Sequence, residues 1–358
     1  MNSPGMFRGT RLTSHHTAAT ALARHSDRSL SRLLDKAAPY GSGIGGTSAL
    51  LELDGLQIFV KRVPLTDLER RPENAHSTAN LFGLPLWCQY GVGAVGSPGF
   101  GAWRELAVHT MTTNWVLAGE HDGFPLMHHW RVLPDSPPLP GELSDVERAV
   151  AHWGGAPGVR ERIVARGRST ASVVLFLECI PRTLHEWLGE QTAAGAGAAD
   201  RACALVEREL AAGIAFMNSR GLLHFDAHFQ NILTDGHRLY FADFGLALSS
   251  RFDLAPQERA FFDRHRDYDR CYSLSHLVNW LLKDLYDLDR EEREVRTRAY
   301  AQGERPTGIP DGAAAVIARY APLATVTAGF FRLLETESST PYPVEELGRC
   351  LDLLPKIN

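Results

Sequence analysis

Lysine is almost absent from this sequence. Lys36, Lys61, Lys283 and Lys356 are its only examples among 37 basic residues, and arginine supplies the rest. Acidic residues outnumber basic ones and the net charge is −5, so the broad basic surface of a nucleic-acid binder is missing. Cysteine is equally sparse. Cys88, Cys179, Cys203, Cys271 and Cys350 are odd in number, scattered, and never spaced C-x-x-C. That excludes a disulfide framework and a cysteine zinc site, and it fits a reducing, cytoplasmic setting. No uninterrupted apolar run reaches the ~18 residues of a membrane span, so none is expected.

What is present is ordinary globular material: 358 residues, 44% hydrophobic and 22% charged, enough for one large domain or two lobes. The first 38 residues are basic and rich in Ser and Thr, without the apolar core of a secretory signal, and read as a loosely ordered arm. Ser48–Leu53 and Leu56–Val63 then read as strands around the hairpin turn Asp54-Gly55. Residues 64–101, rich in Pro, Gly and Asn, read as a long loop. Trp103, Leu106, Val108, Met111 and Trp115 have helical spacing, and "LMHHWRVL" and "ASVVLFLECI" read as strands. Beyond Pro181 long amphipathic helices take over. The pattern predicts an α+β, two-lobed protein: a strand-rich lobe over 39–180, a hinge near Glu178–Arg182, and a helical lobe over 181–358.

Three clusters carry chemistry. "YGSGIGG" sets Gly41, Gly43 and Gly46 in a G-x-G-x-x-G pattern. It leads into a strand and hairpin rather than a helix, so a dinucleotide fold is excluded and a glycine flap over phosphates fits. Lys61 lies on the apolar strand "LQIFVKRV", where a cation needs an anionic partner. Glu105 in "WRELAVH" is the first candidate for that partner and Glu69 the second. The third cluster is "GLLHFDAHFQNIL" followed by "FADFGLA", with His224, Asp226, His228, Asn231 and Asp243 between apolar flanks. A buried polar group without a partner costs roughly 1–3 kcal/mol, so these residues are either satisfied by backbone or chemically engaged. His224-x-Asp226-x-His228 also has the composition of a transition-metal site, but that reading leaves Lys61, Asn231 and Asp243 unexplained.

His224, Asp226 and Asn231 in H-x-D-x-x-x-x-N, with Asp243-Phe244-Gly245 twelve residues on, resemble the catalytic loop and metal-binding element of the protein kinase-like superfamily, over about Pro39 to Leu282. The resemblance implies a two-lobed kinase-like fold and an ATP- and Mg²⁺-dependent transfer of the γ-phosphate to a hydroxyl. It implies phosphate binding by Lys61 and the glycines Gly41, Gly43 and Gly46. Glu105 would position Lys61, Asp226 would orient the attacking hydroxyl, and Asn231 and Asp243 would hold the metal. Adenine would sit against the backbone of Glu178 and Ile180, and His224 and Asp269 would brace the loop.

The chain also departs from that pattern. Phe225 stands where protein kinases usually have the arginine that receives a loop phosphate. His228 replaces the usual lysine and looks like the aminoglycoside and choline phosphotransferase branch. "DFGLA" looks like the Ser/Thr protein-kinase branch, yet no A-P-E follows it. The D-F-G-L-A wording tilts the reading toward a Ser/Thr protein kinase, with a small-molecule kinase and a non-catalytic nucleotide-binding scaffold as the alternatives.

Overall fold

The computed structural model describes residues 4–91 and 95–354. The protein is α+β and divides into two compact units. The first runs to Ile180 and also takes in Asp243–Ala247 and Phe252–Leu254. The second holds Pro181–Ala242, Leu248–Arg251 and the chain from Ala255 onward.

A five-stranded antiparallel sheet in the order β1-β2-β3-β5-β4 forms the centre of the first unit. Its strands are β1 (Ala38–Gly43), β2 (Gly46–Leu53), β3 (Leu56–Leu65), β4 (Met127–Pro134) and β5 (Ala171–Glu178). Asp54 and Gly55 both take positive φ, 51° and 75°, as a two-residue turn between β2 and β3 demands. β3 and β5 pair so that Lys61 lies opposite Leu175 and Ile58 opposite Glu178. Helix Ala102–Ala118 carries Glu105 and packs on the sheet through Ala102, Trp103 and Leu106.

The N-terminal stretch corrects one expectation. Instead of a loose arm it forms helices Pro4–Ala23 and Asp27–Leu34, the second capped by the Ser26 side chain. Ala18 and Leu22, and likewise Leu30 and Leu34, recur at i,i+4 and bury against Leu51, Ile58, Val60, Leu133, Val174 and Phe176 of the sheet. Each such leucine is worth roughly 1.5–3 kcal/mol on burial, which outweighs the weak helical signal of the sequence. The segment 64–101 is mostly irregular, with short turns at Asp67–Arg70, Pro72–Asn74 and Leu86–Gln89. A helix at Pro157–Gly167, not apparent in the sequence pattern, joins it in a second core built on Leu84, Cys88, Phe100, Trp153 and Ile163.

In the second unit, helix Tyr268–Tyr286 packs along helix Asp311–Thr336. Pro322 lies inside this second helix, and burial of Tyr320, Ala321, Leu323 and Ala324 on both sides of it keeps the helix continuous. Among the described residues, Asp311–Thr336 is the one helix long and apolar enough to cross a membrane by length and composition. Small ladders, Arg182–Thr183 with Ile232–Thr234 and Leu239–Phe241, and Leu222–Leu223 with Leu248–Ser249, bracket the loop 224–231.

Candidate active site

In the first unit, Lys61 Nζ lies 2.7 Å from Glu105 Oε1 and 2.7 Å from Asp243 Oδ1. Lys61 and Glu105 are buried, whereas the Asp243 side chain is 40% exposed. Burial alone would lower the lysine pKa, but Asp243 and Glu105 outweigh it and hold the ammonium above its ordinary range. Lys61 is therefore a fixed positive charge beside a carboxylate that faces outward. Asp243 takes the left-handed φ of 59° and also accepts a bond from Gly245 N–H. Phe244 is buried, with its ring edge-on to His109 one turn beyond Glu105. This packing places Asp243–Ala247 in the first unit, where the sequence reading had put it with the helical lobe.

Glu69, the other candidate partner for Lys61, is engaged elsewhere. It closes a capping box with Thr66, pairs with Arg162 Nη1 at 2.8 Å, and accepts Ala102 N–H at 2.8 Å. Glu69 thus anchors the start of the helix that carries Glu105.

The glycine pattern forms the hairpin β1–β2, and of the three expected glycines only Gly46 is closely approached. A Cβ on Gly43 would meet nothing, and on Gly41 only Ser48 Oγ at 3.5 Å. A Cβ on Gly45 would lie 3.1 Å from Lys61 Nζ, and on Gly46, at φ 140°, 2.0 Å from the Arg62 carbonyl. The hairpin tip therefore sits against the Lys61 ammonium; Gly46 is the position where a side chain is excluded, and Gly45 is a tight one. Arg166 ties the tip down, bonding the carbonyls of Ile44 and Pro98.

Glu178 and Ile180 end the first unit at β5. The Glu178 N–H bonds the Leu126 carbonyl at 2.7 Å, and its carboxylate accepts Leu126 N–H and both Nε and Nη2 of Arg11 at 2.8 and 2.7 Å. Arg11 also bonds the carbonyls of Asp122 and Phe124, so one buried guanidinium fastens helix Pro4–Ala23 to the end of β5.

In the second unit, the loop 224–231 is held from below by Asp269. Its two carboxylate oxygens accept the N–H groups of His224 and Phe225 at 2.7 and 2.8 Å. Burial pushes the Asp269 carboxyl up to about 6, against the pull of those two bonds. His224 accepts Asp226 N–H at Nδ1, so its Nε2 donates to the Ala242 carbonyl at 2.9 Å. Asn231 Nδ2 donates to both the carbonyl and Oδ2 of Asp226, each at 3.0 Å. His228 Nε2 lies 3.7 Å from Asp226 Oδ1, and its Nδ1 accepts Gln230 N–H. Phe225, at φ 63° and buried, stacks on Tyr268 at 4.6 Å and on Phe261 at 5.7 Å. Phe225 is thereby held in an aromatic stack.

No group of three or more His, Cys, Asp or Glu that could hold a metal ion occurs among the described residues. In the second unit Asn231 spends its amide nitrogen on Asp226, and in the first unit the Asp243 carboxylate is part-exposed.

Sequence reasoning missed Arg11, Arg162, Arg166 and Gly45. Of these interactions only the Glu69 capping box left a local signature, T-x-x-E at Thr66–Glu69. No family model matches the chain, and no curated protein matches it in sequence.

Proposed function

We propose that this protein is a phosphotransferase of the protein kinase-like superfamily that moves the γ-phosphate of ATP to a hydroxyl, with Mg²⁺ as the metal. The carrying observation is Lys61 at 2.7 Å from both Glu105 and Asp243, three residues far apart in sequence that this chemistry requires together. In this reading Lys61 binds the phosphates and Glu105 fixes its rotamer. The main chain of Glu178 and Ile180, at the β5 end that Arg11 secures, holds the adenine. Asn231 and Asp243 would hold Mg²⁺, which offsets the charge of the phosphates and of the leaving diphosphate.

Asp226 orients the acceptor. Its carboxylate is fixed by Asn231 and its N–H by His224, leaving it geometrically set to accept a proton. The acceptor oxygen bonds to the γ-phosphorus, its proton passes to Asp226, and the β–γ bridging oxygen leaves on ADP with the bonding electrons. His228, with Nε2 3.7 Å from Asp226 Oδ1, would then assist at the transferring group.

The short segment after Gly245 favours a small-molecule acceptor over a folded-protein one. Strand Leu248–Ser249 follows almost at once, and helix Pro256–Arg264 begins soon after, leaving little chain for a peptide platform. Incubation with γ-labelled ATP, Mg²⁺ and a mixed panel of proteins, peptides and hydroxylated metabolites tests the reading. Label on a hydroxyl acceptor, lost in Lys61→Met, is the expected result. Nucleotide binding without transfer to any acceptor would instead describe a scaffold.

A further inference from the structure

The groups around Asp226 in the second unit form a wall of rings. The His228 and His276 ring centres are 6.4 Å apart, and Tyr272 stands 6.1 Å from His276. Phe331 meets Tyr272 edge-on at 5.6 Å. Asp226, His228, Tyr272, His276 and Phe331 are all part-exposed, so the wall has a solvent-facing side. Beneath it Phe229 packs edge-on to His276 at 4.7 Å and Tyr268 stacks on Tyr272 at 5.7 Å, both buried. The rings are therefore held in place from behind.

Among the described residues, the charged groups that bear on Tyr272 and His276 are Asp226, Asp269 and Arg293. Burial, then the carboxylates of Asp226 and Asp269, hold the Tyr272 phenol well above its ordinary range, so it stays a neutral hydroxyl. The Asp269 carboxylate is spent on the N–H groups of His224 and Phe225. Burial pushes His276 down to about 3, helped by His228, His185 and Arg293, so that ring is neutral at pH 7. The carboxylate left to face an acceptor is Asp226 itself, while Arg293 adds positive charge near His276. A polycationic sugar needs several carboxylates to replace its lost hydration, and this wall does not supply them.

We propose that Tyr272 and His276, on helix Tyr268–Tyr286, form the acceptor-binding wall, and that the acceptor is a small, uncharged alcohol carrying a ring that stacks on Tyr272. This rests on the phosphotransferase reading above. Tyr272 and His276 are specificity residues: they hold the ring of the acceptor while its hydroxyl reaches Asp226. A neutral ring gains from the aromatic wall without the cost of stripping water from a charge.

The test is transfer from γ-labelled ATP to four probes: phenyl β-glucoside, choline, an aminoglycoside, and a serine-containing peptide. Wild type, Tyr272→Ala and Tyr272→Phe are compared, and ATP binding is measured separately on wild type and Lys61→Met. Label on phenyl β-glucoside is expected. Tyr272→Ala should raise its KM about 2- to 10-fold, the range for loss of one aromatic pair, with kcat and the KM for ATP unchanged. Tyr272→Phe should keep the wild-type KM. Preferential labelling of choline, the aminoglycoside or the peptide overturns the proposal, as does an unchanged KM in Tyr272→Ala. ATP binding that depends on Lys61, with no transfer to phenyl β-glucoside, overturns the acceptor assignment alone. Absence of ATP binding overturns the phosphotransferase reading and this one with it.

Discussion

Asn231 holds Asp226 by two bonds from one amide nitrogen, 3.0 Å to its carbonyl and 3.0 Å to its carboxylate. Backbone and side chain of Asp226 are thereby tied to one group, and turning the carboxylate breaks its bond to Asn231. Asp226→Asn should lower kcat by ~10²–10⁴-fold while nucleotide affinity changes little, because only the proton acceptor is lost. Steady-state rates set beside calorimetric ATP titration check this. Near-normal turnover would remove Asp226 from the reaction.

Lys61 and Glu105 should behave as one unit. Lys61→Met should abolish most activity and Glu105→Gln should cost less, since Glu105 acts through the 2.7 Å contact with Lys61. The double variant should then be little worse than Lys61→Met alone, because residues serving one step are non-additive. Additive losses in kcat/KM would separate the two.

Asp269 gives a pH signature in stability. Its folded carboxyl is raised to about 6 against an ordinary 3.8. The folded state therefore binds the proton more tightly, and stability from this group is full below pH 3.8. It is lost as pH rises from there to about 6. The loss is about 3 kcal/mol for a shift of this size at ~1.4 kcal/mol per unit. Asp269→Asn cannot titrate, so urea midpoints of wild type and variant should diverge across pH 4–6 and run parallel above pH 7. Parallel curves throughout would mean that Asp269 titrates normally.

The Phe225 stack bears on regulation. With Tyr268 and Phe261 against it and no cation in its place, no loop phosphate is received there. Phosphatase treatment should leave activity unchanged. Phe225→Arg should destabilise the second unit by several kcal/mol, because it buries a charge among rings. Thermal unfolding and an assay before and after phosphatase settle both points, and an enzyme silenced by phosphatase would contradict the first.

Arg11→Ala should lower the stability of the first unit by about 3 kcal/mol, since it strands the Glu178 carboxylate after removing its bidentate partner. The KM for ATP should rise with it while kcat is less affected. Thermal denaturation together with nucleotide titration reads both effects, and an unchanged melting curve would show that the clamp contributes little.

How much of this was legible in the sequence follows from how far apart the partners lie. The loop 224–231 and Asp243-Phe244-Gly245 are contiguous, and their spacing is imposed by short flanking strands, so they could be read directly. The choice of Glu105 over Glu69 matches the geometry, because helical periodicity around Trp103–Trp115 gave Glu105 a defined element. Glu69 was harder to place, since its surroundings carry no period. Arg11 and Arg166 could not be found this way. Their partners lie 167 and 122 residues away, and a single arginine bonding carbonyls leaves no pattern in either segment. The N-terminal helices were missed for a related reason: their apolar residues are few, and only the sheet they cover explains why they fold.

That same coverage sets an order on folding. Helices Pro4–Ala23 and Asp27–Leu34 are made before the sheet they cover, since the residues they bury against include Leu133 on β4 and Val174 and Phe176 on β5. Arg11 meets its carboxylate only when residue 178 has emerged. At ~5–20 residues per second the ribosome needs about ten to thirty seconds to supply that surface. During this interval Leu22, Leu30 and Leu34 have no sheet to lie on. The core of the first unit is therefore completed through contacts of long sequence separation, the regime in which folding is slow.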